Sequence, residues 1–486
     1  MDSILIAGLA VATFLSYKLL SKSSDNALLP LPPGPPRDPV IGSARYFPTE
    51  RIGENLYKWQ KQYGNLVCAT LPTSAMILVY SNDIAQELLS KRPNTTSNRS
   101  IGYYITDMMG WKWSPAFAQP NPHYANQRKM LRRGIGPQRI ATHNLVIERQ
   151  TNALLLKLST FQGYVPPVIM NAMGHLVIEV TYGTEIEHHL GNQLSTLNQE
   201  AMEIILKAFY KLHLVDVFHF LRFIPSWMPG AGFKRIAQRS QWLSNYLRYE
   251  TFAKNAGKLG PSLATDLLDE FGTDDSDVMD ALAVLYIAGS DTTTAAIVAF
   301  LHALYLFPTV ATKVYDEIKA VTLDGQRLLT VPDRQHLPYT EAVWKESIRW
   351  NPFILMGVPH VNIQDEYIQG YRIPKGSMIL QHTGFMLTDP TIWRDPDVFR
   401  PERFLTDENA SELPNPLGII FGYGMRICPG MYLADRAGFH IAASVASVYR
   451  ILPREGKCRA KCRQPRIYRF SIQIAHKFRL PLYSPR

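Results

Sequence analysis

Cysteine is scarce in this chain, with four residues among 486, too few and too scattered for a disulfide scaffold. That scarcity fits a reducing compartment. No internal linker or repeat divides the sequence either, so we predict one large domain, although a prior of about 150 residues per domain suggests about three. With 46% hydrophobic residues, the chain is too apolar to be a disordered protein.

Acidic residues are almost absent from the C-terminal tail. Residues 450–486 contain eleven Lys or Arg and one acid, Glu455, so the tail carries the whole net charge of +10. Nucleic-acid binding is the obvious interpretation, but no zinc-finger, helix-turn-helix or RNA-recognition pattern accompanies the charge, and we expect no nucleic-acid partner. Contact with an acidic protein surface, contact with anionic lipid and simple solvation remain open.

Residues 1–28 have the pattern of a membrane anchor. Residues 4–20 form a mainly apolar run with one charge, Lys18, and 17 residues is the short end of the roughly 17–25 that a spanning helix needs. A cleaved signal peptide would carry positive charge before the run, whereas Asp2 precedes it and Lys22 follows it. A signal peptide and a buried core helix are the alternatives. The charge bias predicts a single-pass protein with its body in the cytosol.

A proline-rich stretch, residues 29–36, predicts a stiff hinge before a body that spans residues 37–486. Residues 150–319 have mainly helical patterns, and residues 277–307 predict one long buried helix that ends before Pro308. Residues 65–81 and 469–474 have strand patterns, and Asn82 is expected to cap a helix through Leu89. The acidic patch within 266–280 predicts a solvated loop. We therefore expect a mainly α fold with a minor β-sheet.

The ten residues from Phe421 to Gly430, Phe-Gly-Tyr-Gly-Met-Arg-Ile-Cys-Pro-Gly, are the strongest local pattern. Three glycines allow the backbone to fold tightly around a flat group and to approach it closely. Cys428 has no nearby cysteine, which argues against zinc or a disulfide, and a lone thiolate is a known ligand of haem iron. An inert buried cysteine is the alternative.

These residues resemble the cysteine-ligand loop of the cytochrome P-450 family, the haem-thiolate monooxygenases, at every defining position. Further family motifs follow in the expected order, so the resemblance covers the chain from the proline hinge to the C-terminus. It implies a single haem domain after an N-terminal transmembrane helix, with haem b bound through Cys428. It also implies that Glu346, Arg349 and Arg403 form a buried structural triad; an ordinary surface ion pair is the alternative for Glu346 and Arg349.

A second family motif, Ala288-Gly289-Ser290-Asp291-Thr292-Thr293, lies in the middle of the long helix. Glycine and polar side chains inside a buried helix are unfavourable and need a reason. A kink, or an acid satisfied by a neighbour, is the ordinary explanation. The resemblance implies an oxygen-binding groove in which Thr292 holds a water chain and Asp291 relays protons to dioxygen.

The resemblance also implies side chains that hold the two haem propionates. Arg426, Arg128 and His360 match family positions for this role, although a plain surface histidine is the alternative for His360. Tyr124 stands where the family usually has tryptophan, and its phenol keeps a hydrogen-bond donor.

Aromatic and methionine side chains are concentrated in residues 101–117 and 206–228. They predict a lipophilic substrate that enters from the bilayer, with core packing as the alternative, and residues 472–475 are a candidate pocket wall. No flavin or NADPH module is visible, so an NADPH-dependent flavoprotein reductase is the implied electron donor. The motifs are similar to those of fungal secondary-metabolite members of the family, which implies a terpenoid or similar natural product as substrate. The resemblance and the anchor together predict a protein of the endoplasmic reticulum membrane. Desaturation or rearrangement on the same haem, and a non-catalytic haem-binding protein, are the alternatives.

Overall fold

The computed structural model describes residues 29–48, 52–71, 74–209, 211, 213–250, 260–272, 275–405, 410–452 and 473–475. Helices dominate this part of the chain, as the sequence predicts. The α-helices are α1 (Ile52–Tyr63), α2 (Asn82–Ala85), α3 (Pro93–Thr96), α4 (Pro122–Ile135), α5 (Asn144–Thr160), α6 (Pro166–Tyr182), α7 (Thr184–Phe209), α8 (Leu214–Val217), α9 (Gly232–Asn245), α10 (Leu263–Phe271), α11 (Ser276–Leu306), α12 (Pro308–Val321), α13 (Pro338–Trp350), α14 (Thr383–Met386), α15 (Pro416–Ile420) and α16 (Met431–Val448).

Short 3₁₀ and π-helical turns connect several of these helices. The 3₁₀ turns are Ala44–Tyr46, Ile140–His143, His219–Phe223, Val331–His336, Pro401–Phe404 and Gly424–Arg426, and the π-helical turns are Gln86–Ser90, Tyr104–Met108 and Tyr246–Glu250.

The β-structure is small and lies at one side of the helices. Its strands are β1 (Leu66–Thr70), β2 (Ala75–Val79), β3 (Asn98–Arg99), β4 (His360–Val361), β5 (Glu366–Ile368), β6 (Tyr371–Ile373), β7 (Met378–Gln381), β8 (Arg450–Leu452) and β9 (Gln473–Ala475). Five of them form a sheet in the order β1-β2-β7-β4-β3, in which β2 and β7 are parallel and the other pairs antiparallel. β5 pairs with β6, and β8 pairs with β9.

Helix α11 runs through the centre of the largest apolar core, as its all-round hydrophobicity predicts. It begins at Ser276, where the side chain of Asp275 accepts from the backbone N–H of Asp277, and it ends at Leu306, before the proline that opens α12. Of the residues described, this helix alone is long and apolar enough to span a membrane, and 67% of its most apolar window is buried in the protein. The predicted anchor, residues 4–20, lies outside the described residues.

The prediction of a solvated loop for the acidic patch is wrong for its second half, whereas Asp266, Asp269 and Glu270 are exposed but lie on helix α10. Asp277 and Asp280 are buried in the first turns of α11. Asp277 accepts from the side chains of His123 and Asn126, and Asp280 forms an ion pair with Arg248. These partners offset the cost of desolvating the two carboxylates. They lie far away in the sequence, so the local charge pattern could not reveal that the two acids are buried. Asp274 lies outside the described residues.

Two further local predictions need correction or extension. The N-cap residue of α2 is Ser81, whereas the sequence predicts Asn82. Asn82 is the first helical residue, and its side chain accepts from the hydroxyl of Tyr423. The proline-rich stretch packs on the sheet, where the carbonyl of Pro33 accepts from the N–H of Cys68. In the tail, β9 contains the end of the predicted 469–474 strand, and residues 453–472 and 476–486 lie outside the described residues.

A fully buried ion triad joins α13 to the segment that precedes α15. Arg349 donates to both carboxylate oxygens of Glu346 at 2.7 and 2.9 Å, and Arg403 Nε lies 3.0 Å from Glu346 Oε2. The guanidinium groups also donate to backbone carbonyls, including those of Leu387 and Arg394. The triad implied by the family resemblance is therefore confirmed.

We predict that Glu346→Gln lowers the free energy of unfolding by about 3–5 kcal/mol, because the change leaves two buried guanidinium groups without a counter-charge. Urea unfolding followed by circular dichroism measures it. Glu203→Gln, which breaks the exposed Glu203–Lys207 pair of α7, is the matched control and should change stability by under about 0.5 kcal/mol. Equal effects of the two substitutions would contradict the role of the triad.

Candidate active site

The Phe421–Gly430 segment forms a tight loop that ends immediately before α16. The N–H of Cys428 donates to the carbonyl of Phe421 at 2.8 Å and closes the loop. Gly422 and Gly424 have φ values of +82° and +56°, in the left-handed region that disfavours side chains. A Cβ atom on Gly424 would also overlap the carbonyl oxygen of Leu89. The loop geometry therefore requires glycine at position 424.

The Cys428 thiol is half-buried at the end of this loop. Burial raises its pKa, while a hydrogen bond from the Gly430 backbone and the positive charge of Arg128 act in the opposite direction. The first turn of α16 follows at Met431, and the N-terminus of a helix favours negative charge. The surroundings thus provide partial compensation for a thiolate, which a bound cation would complete.

Cationic side chains are concentrated beside the loop. The side chain of Arg426 is buried and donates to the backbone carbonyls of Ser97, Pro115 and Ala118. The guanidinium of Arg128, on α4, donates to the carbonyl of Ile427 at 2.6 Å. The two arginines predicted from sequence therefore lie together around the cysteine loop.

Arg99 joins this cluster and was missed by sequence reasoning. It pairs with His360 in the antiparallel β3–β4 register, and both side chains are buried. Burial and the charge of Arg426 lower the pKa of Arg99 to about 9, and burial followed by the charge of Arg99 holds the pKa of His360 well below its usual range. Nothing in the local sequence marks Arg99, because strand register brings it to the site.

Tyr124 supports the cluster from α4. Its hydroxyl donates to the carbonyl of Met425 at 2.8 Å, and the Arg426 guanidinium lies 4.2 Å from the centre of its ring. The phenol proton is thus used within the protein, and the ring provides a cation–π contact.

Asp291 and Thr292 lie on a polar stretch in the middle of α11. Thr292 and Ala288 are exposed although the helix around them is buried, and Thr292 Oγ1 donates to the Ala288 carbonyl at 2.9 Å. A water-sized molecule can therefore reach this face of the helix. Burial raises the pKa of Asp291 to about 6, and the hydroxyl of Ser290, 3.4 Å away, opposes the shift.

The loop, the cations and the polar turn of the central helix agree with the comparison to known families. The cytochrome P450 family profile matches residues 32–473. The chain belongs to the cytochrome P-450 family. It is therefore an oxygen-incorporating oxidoreductase, and the family binds a haem with a thiolate ligand, receives electrons from a reductase and acts on O2 and a small-molecule substrate.

Fungal enzymes are among the relatives of this cytochrome P-450. The monooxygenase claR of Ampulloclitocybe clavipes is 33% identical over 436 residues, which cover 87% of this chain and 80% of the relative. The monooxygenase COX1 of Coprinopsis cinerea is 30% identical, with 92% and 90% covered. The O-methylsterigmatocystin oxidoreductase of Aspergillus flavus is 29% identical, with 93% and 88% covered.

The cation cluster fits the two carboxylates of a haem. Among the described residues, no carboxylate pairs with Arg99, Arg128 or Arg426, and burial together with the mutual repulsion of these arginines lowers the pKa of Arg99 and Arg426. Arg99 Nε and Ser97 Oγ are buried without a hydrogen-bond partner in the described part of the chain. Uncompensated buried cations and free donors are what a buried anion requires.

The segment 101–117, expected over the haem, is held by α9. Trp111 Nε1 donates to Ser240 Oγ and Trp113 Nε1 to Ser244 Oγ, each at 2.9 Å. Trp111 is buried in the main core, so packing accounts for part of the aromatic content of this segment.

We predict that Gly424→Ala sharply reduces the fraction of protein that shows the red-shifted Soret band of a CO-bound thiolate haem, because the new methyl group overlaps Leu89 and the loop must move. Gly418→Ala, at a glycine of α15 with open space around it, is the matched control and should keep the band. A normal band in Gly424→Ala would contradict the requirement for glycine in the loop.

Proposed function

We propose that this cytochrome P-450 inserts one oxygen atom of O2 into a lipophilic secondary metabolite, with electrons from an NADPH-dependent flavoprotein reductase. The observation that carries the proposal is the single cysteine of a tight loop beside a buried, uncompensated cation cluster. The polar turn of α11 supports it, since a protein that only stores haem needs no carboxyl group and hydroxyl in a buried helix.

The residues around the haem have separate roles in this proposal. Cys428 is the iron ligand, and Arg128, Arg426 and Arg99 hold the propionates. The depressed pKa of His360 keeps its ring neutral, and the one ring N–H donates to the carbonyl of Thr96 at 3.0 Å, so His360 positions Arg99 across the β3–β4 pair instead of donating to a propionate. Tyr124 orients Arg426 through the ring contact and fixes the loop through Met425.

The haem supplies dioxygen activation when bound, and its thiolate ligand favours cleavage of the O–O bond. The protein supplies the protons. A pKa of about 6 places Asp291 close to the value that suits proton transfer near neutral pH. Thr292, which is exposed on this face of the helix, holds water there through its hydroxyl oxygen and keeps the proton path ordered.

The substrate path and the membrane contact are proposed from exposed apolar side chains. Several large apolar residues that follow α7 are exposed, among them Phe220 at 66%, Phe223 at 72% and Trp227 at 79%. Such a patch on one surface favours contact with lipid or another apolar partner. Together with an anchor at residues 4–20, it supports a single-pass protein of the endoplasmic reticulum membrane whose body faces the cytosol.

We predict that Asp291→Asn lowers the ratio of oxygenated product to peroxide by about 100-fold or more, the usual contribution of a positioned acid. In the wild type, Asp291 is protonated below pH about 6 and ionised above it, so this ratio should fall as pH rises through that value. In Asp291→Asn the ratio should be low and independent of pH. The measurement uses enzyme with its reductase and a panel of apolar natural-product precursors, with products identified by mass spectrometry.

Thr292→Ala should also raise peroxide release, while Thr312→Ala, an exposed threonine with the same back-bond on α12, is the control and should not. Products without added oxygen would favour desaturation or rearrangement on the same haem. Unchanged ratios in both Asp291→Asn and Thr292→Ala would overturn the proton-delivery role.

We predict that Arg99→Met speeds haem transfer to excess apomyoglobin by about tenfold, the effect of one lost charge-assisted hydrogen bond. The haem-free protein should lose little stability, because removing a buried cation that has no carboxylate partner among the described residues offsets the loss of its hydrogen bonds to the carbonyls of Val358 and Pro359. Arg92→Met is the matched control, since Arg92 is paired with Glu87 and Glu366; it should destabilise the haem-free protein without speeding haem transfer. A transfer rate like that of the wild type in Arg99→Met would contradict the propionate role.

A further inference from the structure

A buried amide on α7 contacts the turn of α11 that carries Asp291. The side chain of Asn198 is 1% exposed, and its Nδ2 donates to Ser290 Oγ at 3.0 Å and to the carbonyl of Ile287 at 3.2 Å. Ser290 is also buried, and its hydroxyl donates to Asp291 Oδ1 at 3.4 Å. A chain of side-chain hydrogen bonds thus runs from one helix to the carboxyl group on the other.

The directions of these hydrogen bonds follow from the acceptor on Ile287. A backbone carbonyl can only accept, so the NH2 group of Asn198, not its oxygen, must face this turn. The second N–H of the same group is then donated to the oxygen of Ser290. Because that oxygen already receives a hydrogen, the hydroxyl proton of Ser290 is free for Asp291, and the two hydrogen bonds strengthen each other.

We propose that Asn198 and Ser290 are positioning residues that hold the carboxyl group of Asp291 in its proton-transfer orientation. The inference rests on the proton-delivery role proposed for Asp291 and adds that α7, a helix with no part in haem ligation, controls it. Neither residue needs to touch the haem or the substrate for this role.

The electrostatic surroundings agree with this arrangement. In the described part of the chain, burial raises the pKa of Asp291 and only the hydrogen bond from Ser290 lowers it; no charged group on a neighbouring helix contributes. The ionisable groups next to this turn are Tyr286, whose pKa Asp291 helps to raise, and beyond it Tyr182 and Tyr246. Burial holds the pKa of Tyr286 and Tyr182 far above neutrality, so these two do not titrate with Asp291.

The test is the pH titration of the Asp291 carboxyl band by infrared difference spectroscopy of the haem-loaded protein, with Asp291→Asn to identify the band. Ser290→Ala removes the bond that favours the ionised form, so its band should titrate about one unit higher. Asn198→Leu should shift it in the same direction by about half as much. Ser290→Thr keeps a hydroxyl and should restore the wild-type titration.

Thr294→Val is the matched control, because Thr294 is buried one turn further along and donates to the backbone carbonyl of Ser290 without reaching Asp291. It should titrate as the wild type. The product-to-peroxide ratio should fall in Asn198→Leu, and Asn198→Leu combined with Asp291→Asn should match Asp291→Asn alone, since the two residues act through one group.

Wild-type titration of the band in Ser290→Ala and Asn198→Leu would overturn the inference; Ser290→Ala decides alone if Asn198→Leu does not fold. Shifted bands combined with a normal product ratio in Asp291→Asn would uphold the positioning and overturn the proton-delivery role, so the two failures are distinguishable.

Discussion

Positive charge that is buried without a carboxylate partner in the described part of the chain is the constraint on which this active site depends. Arg99 and Arg426 are desolvated, and with Arg128 they repel one another, which lowers the affinity of the first two for their own protons. Backbone carbonyls satisfy part of their donors but provide no counter-charge. In the haem-free protein these positive charges therefore have no counter-charge. An anionic cofactor would supply it, so cofactor binding would stabilise the site.

Helix α4 connects the two halves of the site through two different faces. Its residues Tyr124 and Arg128, four positions apart, contact the cysteine loop. His123, Asn126 and Gln127 point to the acidic start of α11, where Asp277 and Asp280 accept from them. The helical period separates these sets, so one rigid element fixes the position of the ligand loop relative to the helix that carries Asp291.

Short-range patterns in the sequence were enough to predict the cysteine loop and the helix α11. The boundaries of α11 differ from the prediction by one residue at each end. Features that depend on distant partners were not accessible in this way. Arg99 reaches the site because it pairs with His360 in the β3–β4 register. Asp280 is paired in the interior by Arg248, 32 positions earlier in the chain. The Glu346 triad joins residues more than fifty positions apart and was reached through family resemblance, since its local pattern is that of an ordinary surface ion pair.

The contact between the proline-rich stretch and the sheet has a consequence for self-association. β1 is an edge strand of the five-stranded sheet, and an open edge can pair with a strand of another molecule. Here the N–H of Cys68 already donates to the carbonyl of Pro33, and the N–H of Ser43 donates to the carbonyl of Thr70. Proline has no N–H to offer in turn, so five of the eight residues 29–36 lack the donor that a further strand would need. The prolines thus protect the sheet against edge-to-edge aggregation.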